Sequence, residues 1–180
     1  MLFRTVETVL RPKSLAIVGA SERGRWPRDI HTALREHKYP GPVYLINPRQ
    51  QQVYGETAYP SLGDLPEPVD HAIIIIPAAG VSDVLEDAAA RGLKSATIYA
   101  GGVGDGENPA SIARGQWVRD FIQRTNMRIA GPNCMGNLSY PDRVFAYPNP
   151  EIARVPQGPV GVIFQSGGTL QFFMRTASQR

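Results

Sequence analysis

Gly19, Ala20, Ser21 and Arg23 form a short run of small, hydroxylic and cationic residues directly after the apolar residues Leu15, Ala16, Ile17 and Val18. An apolar run that enters a small-residue turn, with a helical pattern opening at Trp26 and Pro27, reads as a buried strand, a tight turn and a helix N-terminus. Backbone N–H groups at such a turn have no intrahelical acceptor and lie at the positive end of the helix dipole, so a phosphate can rest on them. Ser21 adds a hydroxyl and Arg23 a charge. The plainer alternative is an ordinary strand-to-helix turn, because G-x-S-x-x-G is a weaker signature than G-x-G-x-x-G.

Further residues with chemical potential follow later apolar runs. Asn47, Pro48 and Arg49 end the second run. In nicotinamide-dinucleotide folds an acidic residue near this place holds the ribose hydroxyls, whereas a phosphorylated ribose calls for a cation; this chain supplies Arg49, which could equally be a solvated arginine at a strand end. The glycine-dense stretch 100–106 (AGGVGDG) makes a loop that can approach a ligand closely. Residues 131–136 (GPNCMG) hold the single cysteine, Cys134, which excludes an internal disulfide and a cysteine-rich metal site; no metal is expected. With no histidine near it in any motif, Cys134 reads as a plain thiol rather than a nucleophile. His71 has no acidic or cysteine partner at a useful spacing and reads as structural.

These residues need a scaffold that gathers them, and the intervening pattern provides one. Residues 27–38 carry Ile30, Ala33 and Leu34 among charges, a surface helix with proline near its start. Residues 43–46 read as a second strand. Residues 53–68 are a connection with a short strand over 57–59 and one helical turn after Ser61. Residues 71–76 (HAIIII) are the unbroken apolar run expected of a strand covered on both faces, and Pro77 stops it. A helix over 78–91 follows, with Gly92 beyond its end, then a strand over 94–99, a helix over 109–125 and a strand over 127–130. Strand and helix alternating at short spacing predict a doubly wound parallel sheet, whose ligands bind beyond the carboxyl ends of the strands. All the chemically interesting loops fall on that edge.

The chain of 180 residues is long enough for one well-buried domain with an appendage. No apolar run approaches a membrane span, and the N-terminal residues are too short and too acidic for a secretory signal, reading instead as a short amphipathic helix. A cytoplasmic protein is expected, with no membrane partner. A net charge of +3 with dispersed Lys and Arg does not argue for nucleic acid but suits a small polyanion. Residues 137–157 have no helical period and read as a wrapping linker or small hairpin. From residue 158 the opening pattern recurs: a strand over 158–164, a turn with N-cap chemistry at Ser166, Gly167, Gly168 and Thr169, and a helix over 170–179. Leu170, Phe172, Phe173 and Met174 give that helix more apolar surface than it can hide, so a Rossmann-like domain over 1–155 followed by the start of a truncated second α/β domain over 156–180 is expected.

With these motifs in order, SLAIVGAS (14–21), GPVYLINP (41–48), AYPSLGDLPEPVD (58–70), IIIIPA (73–78), GPNCMG (131–136) and QSGGTL (165–170), nearly the whole chain resembles the N-terminal CoA-binding domain of the NDP-forming acyl-CoA synthetases, the group that includes the α subunit of succinyl-CoA synthetase. AGGVGDG and the connector YPNPEIAR (147–154) look more like the branch acting on bulky acids, such as feruloyl-CoA synthetases. The resemblance implies a nucleotide-dependent ligase that activates a carboxylic acid as an acyl phosphate, passes the phosphate through a histidine and makes a CoA thioester. It implies that Gly19, Ala20, Ser21 and Arg23 cradle the CoA phosphates, that Asn47, Pro48 and Arg49 flank the adenine and 3′-phosphoribose, that Ile75, Ile76 and Pro77 line the pantetheine arm, and that Asn133 and Cys134 lie near its thiol. Asp105 falls where the family carries a glutamate facing the phosphohistidine. Ser166, Gly167, Gly168 and Thr169 would form a phosphate-binding helix N-terminus in a flavodoxin-like second domain.

The family's phosphorylated histidine and its ATP- and Mg-using nucleotide-grasp domain lie outside this chain, on the same polypeptide or a partner subunit. The chain alone is therefore expected to bind CoA without catalysing a reaction; a homo-oligomer is left open. Two alternatives remain at this stage: an NADP-binding Rossmann domain of an oxidoreductase, and a stand-alone CoA-binding regulator.

Overall fold

A computed structural model describes residues 6–178. In chain order the elements are α1 (Glu7–Leu10), β1 (Leu15–Val18), α2 (Arg25–Glu36), β2 (Val43–Ile46), β3 (Gln52–Val53), β4 (Glu56–Tyr59), β5 (His71–Ile74), α3 (Val81–Ala90), β6 (Ser95–Ile98), α4 (Pro109–Thr125), β7 (Arg128–Ala130), β8 (Asn137–Ser139), β9 (Val144–Ala146), α5 (Pro150–Ala153) and α6 (Gly167–Ala177). The strands form a seven-stranded sheet in the order β3-β4-β2-β1-β5-β6-β7, with β8 and β9 in a separate antiparallel pair. All pairings in the large sheet are parallel except that of β3 with β4. This is the expected Rossmann-like α/β architecture, with β3 as an addition at the edge.

The two apolar runs become neighbours at the centre, with Leu15 opposite His71 and Val18 opposite Ile74. Every residue of both strands is buried, as a parallel sheet with two covered faces requires. Ala16, Val18, Ala72 and Ile74 pack with Val81 and Leu85 of α3 and with Val118 and Phe121 of α4. Leu15, Ile17 and Ile73 face the other way, against Ile30 and Leu34 of α2 and against Val144 and Ala146 of β9. Burying an aliphatic side chain such as Ile30 or Leu34 contributes about 1.5–3 kcal/mol. Between β1 and β5 the order of strand addition reverses, which opens a crevice at their carboxyl ends.

α4 shows local sequence dictating local structure. The Asn108 side chain accepts from the Ala110 N–H at 2.8 Å, Pro109 occupies the first helical position, and Asn126 closes the helix in the left-handed conformation at φ 62°. His71 fulfils the structural expectation. It is 1% exposed at the amino edge of the sheet, with Nδ1 2.8 Å from Ser95 Oγ and Nε2 2.9 Å from Thr97 Oγ1. Ser95 Oγ donates in turn to the Asp70 carbonyl at 3.2 Å, so the serine accepts from Nδ1–H and the neutral ring accepts from Thr97. Burial pushes the His71 pKa down to about 3.

The segment 137–157 contains the small hairpin β8–β9 and α5. The tail differs from expectation. Residues 158–164 form no strand; Val160 is 72% exposed and Ile163 fully so. A strand exists by pairing, and among the described residues no strand lies beside this segment. The helix that follows does form, with Ser166 as N-cap accepting from the Thr169 N–H at 3.3 Å. Gln179, its expected last residue, and residues 1–5 of the expected N-terminal helix lie outside the described residues. Among the described residues no helix is long and apolar enough to cross a membrane.

Candidate functional site

Three loops at the carboxyl edge surround one open cleft of about 510 Å³. The turn after β1 contributes Gly19 to Arg23, the segment after β2 contributes Asn47 to Gln50, and the exit of β5 contributes Ile75, Ile76 and Pro77. A second, mainly apolar compartment of about 310 Å³ shares Ile75, Ile76 and Pro77 and continues past Trp26 and Tyr99 to Ala100. The site therefore has a charged part followed by an apolar groove.

Arg23 and Arg49 are the exposed cations of the charged part. Among the described residues neither guanidinium takes part in an ion pair, whereas Arg28 pairs with Glu22 at 3.2 Å and Arg35 with Glu56 at 2.5 Å. Glu22, the acid lining the cleft, also accepts from the Tyr54 N–H at 2.6 Å. Its charge is thus engaged inside the protein, and the two arginines leave the cleft attractive to an anion.

The turn does not offer its N–H groups in the expected way. Gly19 and Ala20 donate to the Ile46 carbonyl at 3.1 and 3.2 Å, Ser21 N–H to the Tyr54 hydroxyl at 3.2 Å, Arg23 N–H to Ser21 Oγ at 3.3 Å, and Gly24 N–H to the Ser21 carbonyl at 2.9 Å. The donors of the turn are thus taken up by β2, by Tyr54 and by Ser21 itself. The helical donors lie further on, at Arg25 and Trp26 in the first turn of α2, where i−4 acceptors are lacking and the N-cap, Gly24, has no side chain to fill the gap.

Asn47 likewise positions the loops rather than facing outward. Its amide nitrogen donates to the Ala20 carbonyl at 2.7 Å and to Gln50 Oε1 at 3.0 Å, and its amide oxygen accepts from the N–H groups of Arg49 and Gln50 at 2.8 and 3.1 Å. This Asx turn ties the Arg49 loop to the Gly19 turn.

Asp105 curls into its own loop. Its Oδ1 accepts from the N–H groups of Gly102 and Val103 at 2.6 and 2.8 Å, and the Val103 N–H foremost holds its pKa below the ordinary carboxylate value. The loop lies hard against α4, where a Cβ on Gly115 would lie 2.5 Å from Gly104 Cα. Asn133 and Cys134 line neither compartment but are fastened to the groove's far end. Asn133 N–H donates to the Ala100 carbonyl at 3.0 Å, Cys134 N–H to the Ile98 carbonyl at 3.3 Å, and the half-buried Cys134 Sγ accepts from the Gly136 N–H at 3.3 Å.

The Ser166 to Thr169 turn approaches the same end. Gly167 backs onto Met135, where a Cβ would meet the thioether, and the Tyr147 hydroxyl donates to the Gly167 carbonyl at 3.3 Å while accepting from the Gln171 amide at 3.3 Å. Sequence reasoning missed Tyr54, whose hydroxyl also donates to the Ser21 carbonyl at 3.0 Å, as well as Glu22, Gln50, Trp26 and Tyr99. Tyr54 lies in an aperiodic connection and reaches Ser21 only through the β3–β4 excursion. Trp26 could have been found, as a large apolar residue in the exposed first turn of a helix at the ligand edge. None of the three histidines lines the cleft or the groove.

A family profile described as CoA binding domain matches residues 13–139. An acetate–CoA ligase (ADP-forming) of Methanocaldococcus jannaschii is 32% identical over 169 residues, covering 92% of this chain and 23% of that protein. A trans-feruloyl-CoA synthase from an unknown prokaryotic organism is 31% identical over 172 residues, covering 90% of this chain and 23% of the relative. The solved structure of a dinucleotide-forming acetyl-coenzyme A synthetase 1 from Ca. Korarchaeum cryptofilum, in complex with phosphate and ADP, superposes with a TM-score of 0.85 at 30% identity, over 97% of this chain and 37% of that one. The chain thus spans about a quarter of the curated relatives' length.

Proposed function

The chain belongs to the CoA binding domain family, and from that premise we propose that it is the CoA-holding portion of an ADP-forming acyl-CoA ligase. The observation that carries this reading is the two-compartment cleft: two arginines in no ion pair among the described residues where a phosphorylated nucleotide would lie, then an apolar groove for an uncharged arm. Arg23 and the first-turn N–H groups of α2 hold the pyrophosphate, Arg49 meets the 3′-phosphate, and Ile75, Ile76 and Pro77 carry the arm towards Ala100, with Asn133 and Cys134 just beyond. CoA brings the thiol; the residues of this chain bind and aim it. Asn47 shapes the loops, and Asp105, its Oδ1 accepting from two backbone N–H groups, is the acid that would face the phosphohistidine. Activation of the acid and phosphate transfer through a histidine belong to ligase and nucleotide-grasp domains outside residues 1–180.

CoA is expected to bind about ten- to hundredfold tighter than dephospho-CoA, because a charge-assisted hydrogen bond from Arg49 contributes roughly 1.5–3 kcal/mol. Titration calorimetry with both ligands and NADP decides it. Equal affinities would remove Arg49 from the 3′-phosphate, and tighter NADP binding would favour a nicotinamide-dependent oxidoreductase.

The domain boundary near residue 156 is part of the same proposal. α6 meets the first domain through Gly167, Gln171 and an Arg175–Glu151 ion pair at 2.5 Å, while Val160, Ile163 and Phe172 remain in water, as befits the first elements of a further unit. Deleting residues 156–180 is expected to leave CoA affinity within about threefold, since the proposed contacts precede them. Unfolding of the shortened chain, or loss of CoA from a folded one, would place the boundary elsewhere.

A further inference from the structure

Trp26 is the large side chain of the groove that the proposed contacts leave unexplained. It stands in the first turn of α2, 39% exposed. It is nevertheless held in place: its ring meets the Tyr99 ring edge-on at 6.3 Å and 65°, and Tyr99 is fixed by 3% exposure and by a 2.6 Å hydrogen bond from its hydroxyl to the Ala146 carbonyl. Ile75, Ile76 and Pro77 line the same compartment as the indole. The compartment thus carries an anchored aromatic residue and the exit of β5 in its lining, shares Ile75, Ile76 and Pro77 with the charged cleft, and reaches Ala100. A flat, rigid indole with a wet edge suits an arm that alternates methyl and methylene groups with amides, because its face supplies contact area at low entropic cost.

We propose that Trp26 is the clamp on the pantetheine arm: it closes over the uncharged amide chain and makes the site select a ligand carrying that arm over the bare phosphorylated nucleotide. This rests on the reading of the cleft as a CoA site. Trp26 makes no contact with the nucleotide, so its removal is felt in proportion to the arm.

The test compares CoA with adenosine 3′,5′-bisphosphate, which keeps the 3′-phosphate and lacks the arm, in wild type, Trp26→Ala and Trp26→Phe. Trp26→Ala is expected to weaken CoA by about tenfold or more, as truncation of a binding hot spot does, while the bisphosphate stays within about twofold and Trp26→Phe recovers most of the loss. Equal weakening of both ligands would show that Trp26 supports the phosphate turn, and no weakening of CoA would show that it does not touch the arm; either overturns the clamp while wild-type CoA binding still upholds the site. Failure of wild type to bind CoA would overturn both. Should Trp26→Ala not fold, Trp117→Phe leaves Trp26 as the sole tryptophan, since the chain has two. Its emission is expected to shift to the blue with CoA but not with the bisphosphate, and an emission indifferent to CoA overturns the clamp.

Discussion

Gly19→Ala is expected to lower CoA affinity by more than about a hundredfold, beyond the range of ordinary calorimetry. Gly19 has a φ of 91°, and a Cβ there would run into the Ile75 carbonyl oxygen and lie 2.9 Å from Ile76 Cγ2. The left-handed backbone alone costs a non-glycine residue about 1–2 kcal/mol, and the collision cannot be relieved by rotating a side chain because the obstacle is main chain. Relief requires the turn after β1 to move away from the exit of β5. Those are two of the three walls of the cleft, and the Gly19 and Ala20 bonds to Ile46 carry the displacement to the third. Circular dichroism accompanies the titration, so that a folded variant without CoA is separated from an unfolded one. A folded variant that binds CoA within tenfold of wild type would remove the cleft as the site.

Unfolding free energy is expected to fall by about 2 kcal/mol between pH 7.5 and pH 5 on account of His71. Burial lowers its folded-state pKa to about 3, against about 6.5 in the unfolded chain. Between those values the unfolded state binds the extra proton, so stability is complete above pH 6.5 and is lost as pH falls towards 3. His31, whose pKa is also lowered, chiefly by burial, adds a slope of the same sign. The His71 share is therefore read as the difference between wild type and His71→Gln, whose amide can still meet Ser95 and Thr97, in urea denaturation at several pH values. Parallel curves for the two proteins would mean that the ring is charged in the folded state or leaves the core.

Much of this architecture is determined by local sequence. The apolar runs at β1 and β5 have only one comfortable place, a strand covered on both faces, and Asn108, Pro109 and Asn126 delimit α4 by satisfying its terminal peptide groups. Once strands and helices alternate, right-handed crossovers send every βα loop to one edge, so the gathering of Ser21, Arg49 and Pro77 in one cleft follows from order along the chain. Which of those residues face outward was decided by the tertiary structure. The N–H groups of the first turn and the amide of Asn47 were equally available to a ligand by residue type, yet Ile46, the Ala20 carbonyl and the Tyr54 hydroxyl, distant in sequence, take up Gly19, Ala20, Ser21 and Asn47, with Gln50 as a local partner of Asn47. The segment 158–164 has a strand's composition but no strand beside it among the described residues, and Val160 and Ile163 stay exposed. Composition and period report the preference of a residue for burial or a local conformation; a hydrogen bond or a strand needs a second group at the right distance, and only the folded chain determines whether that group is there.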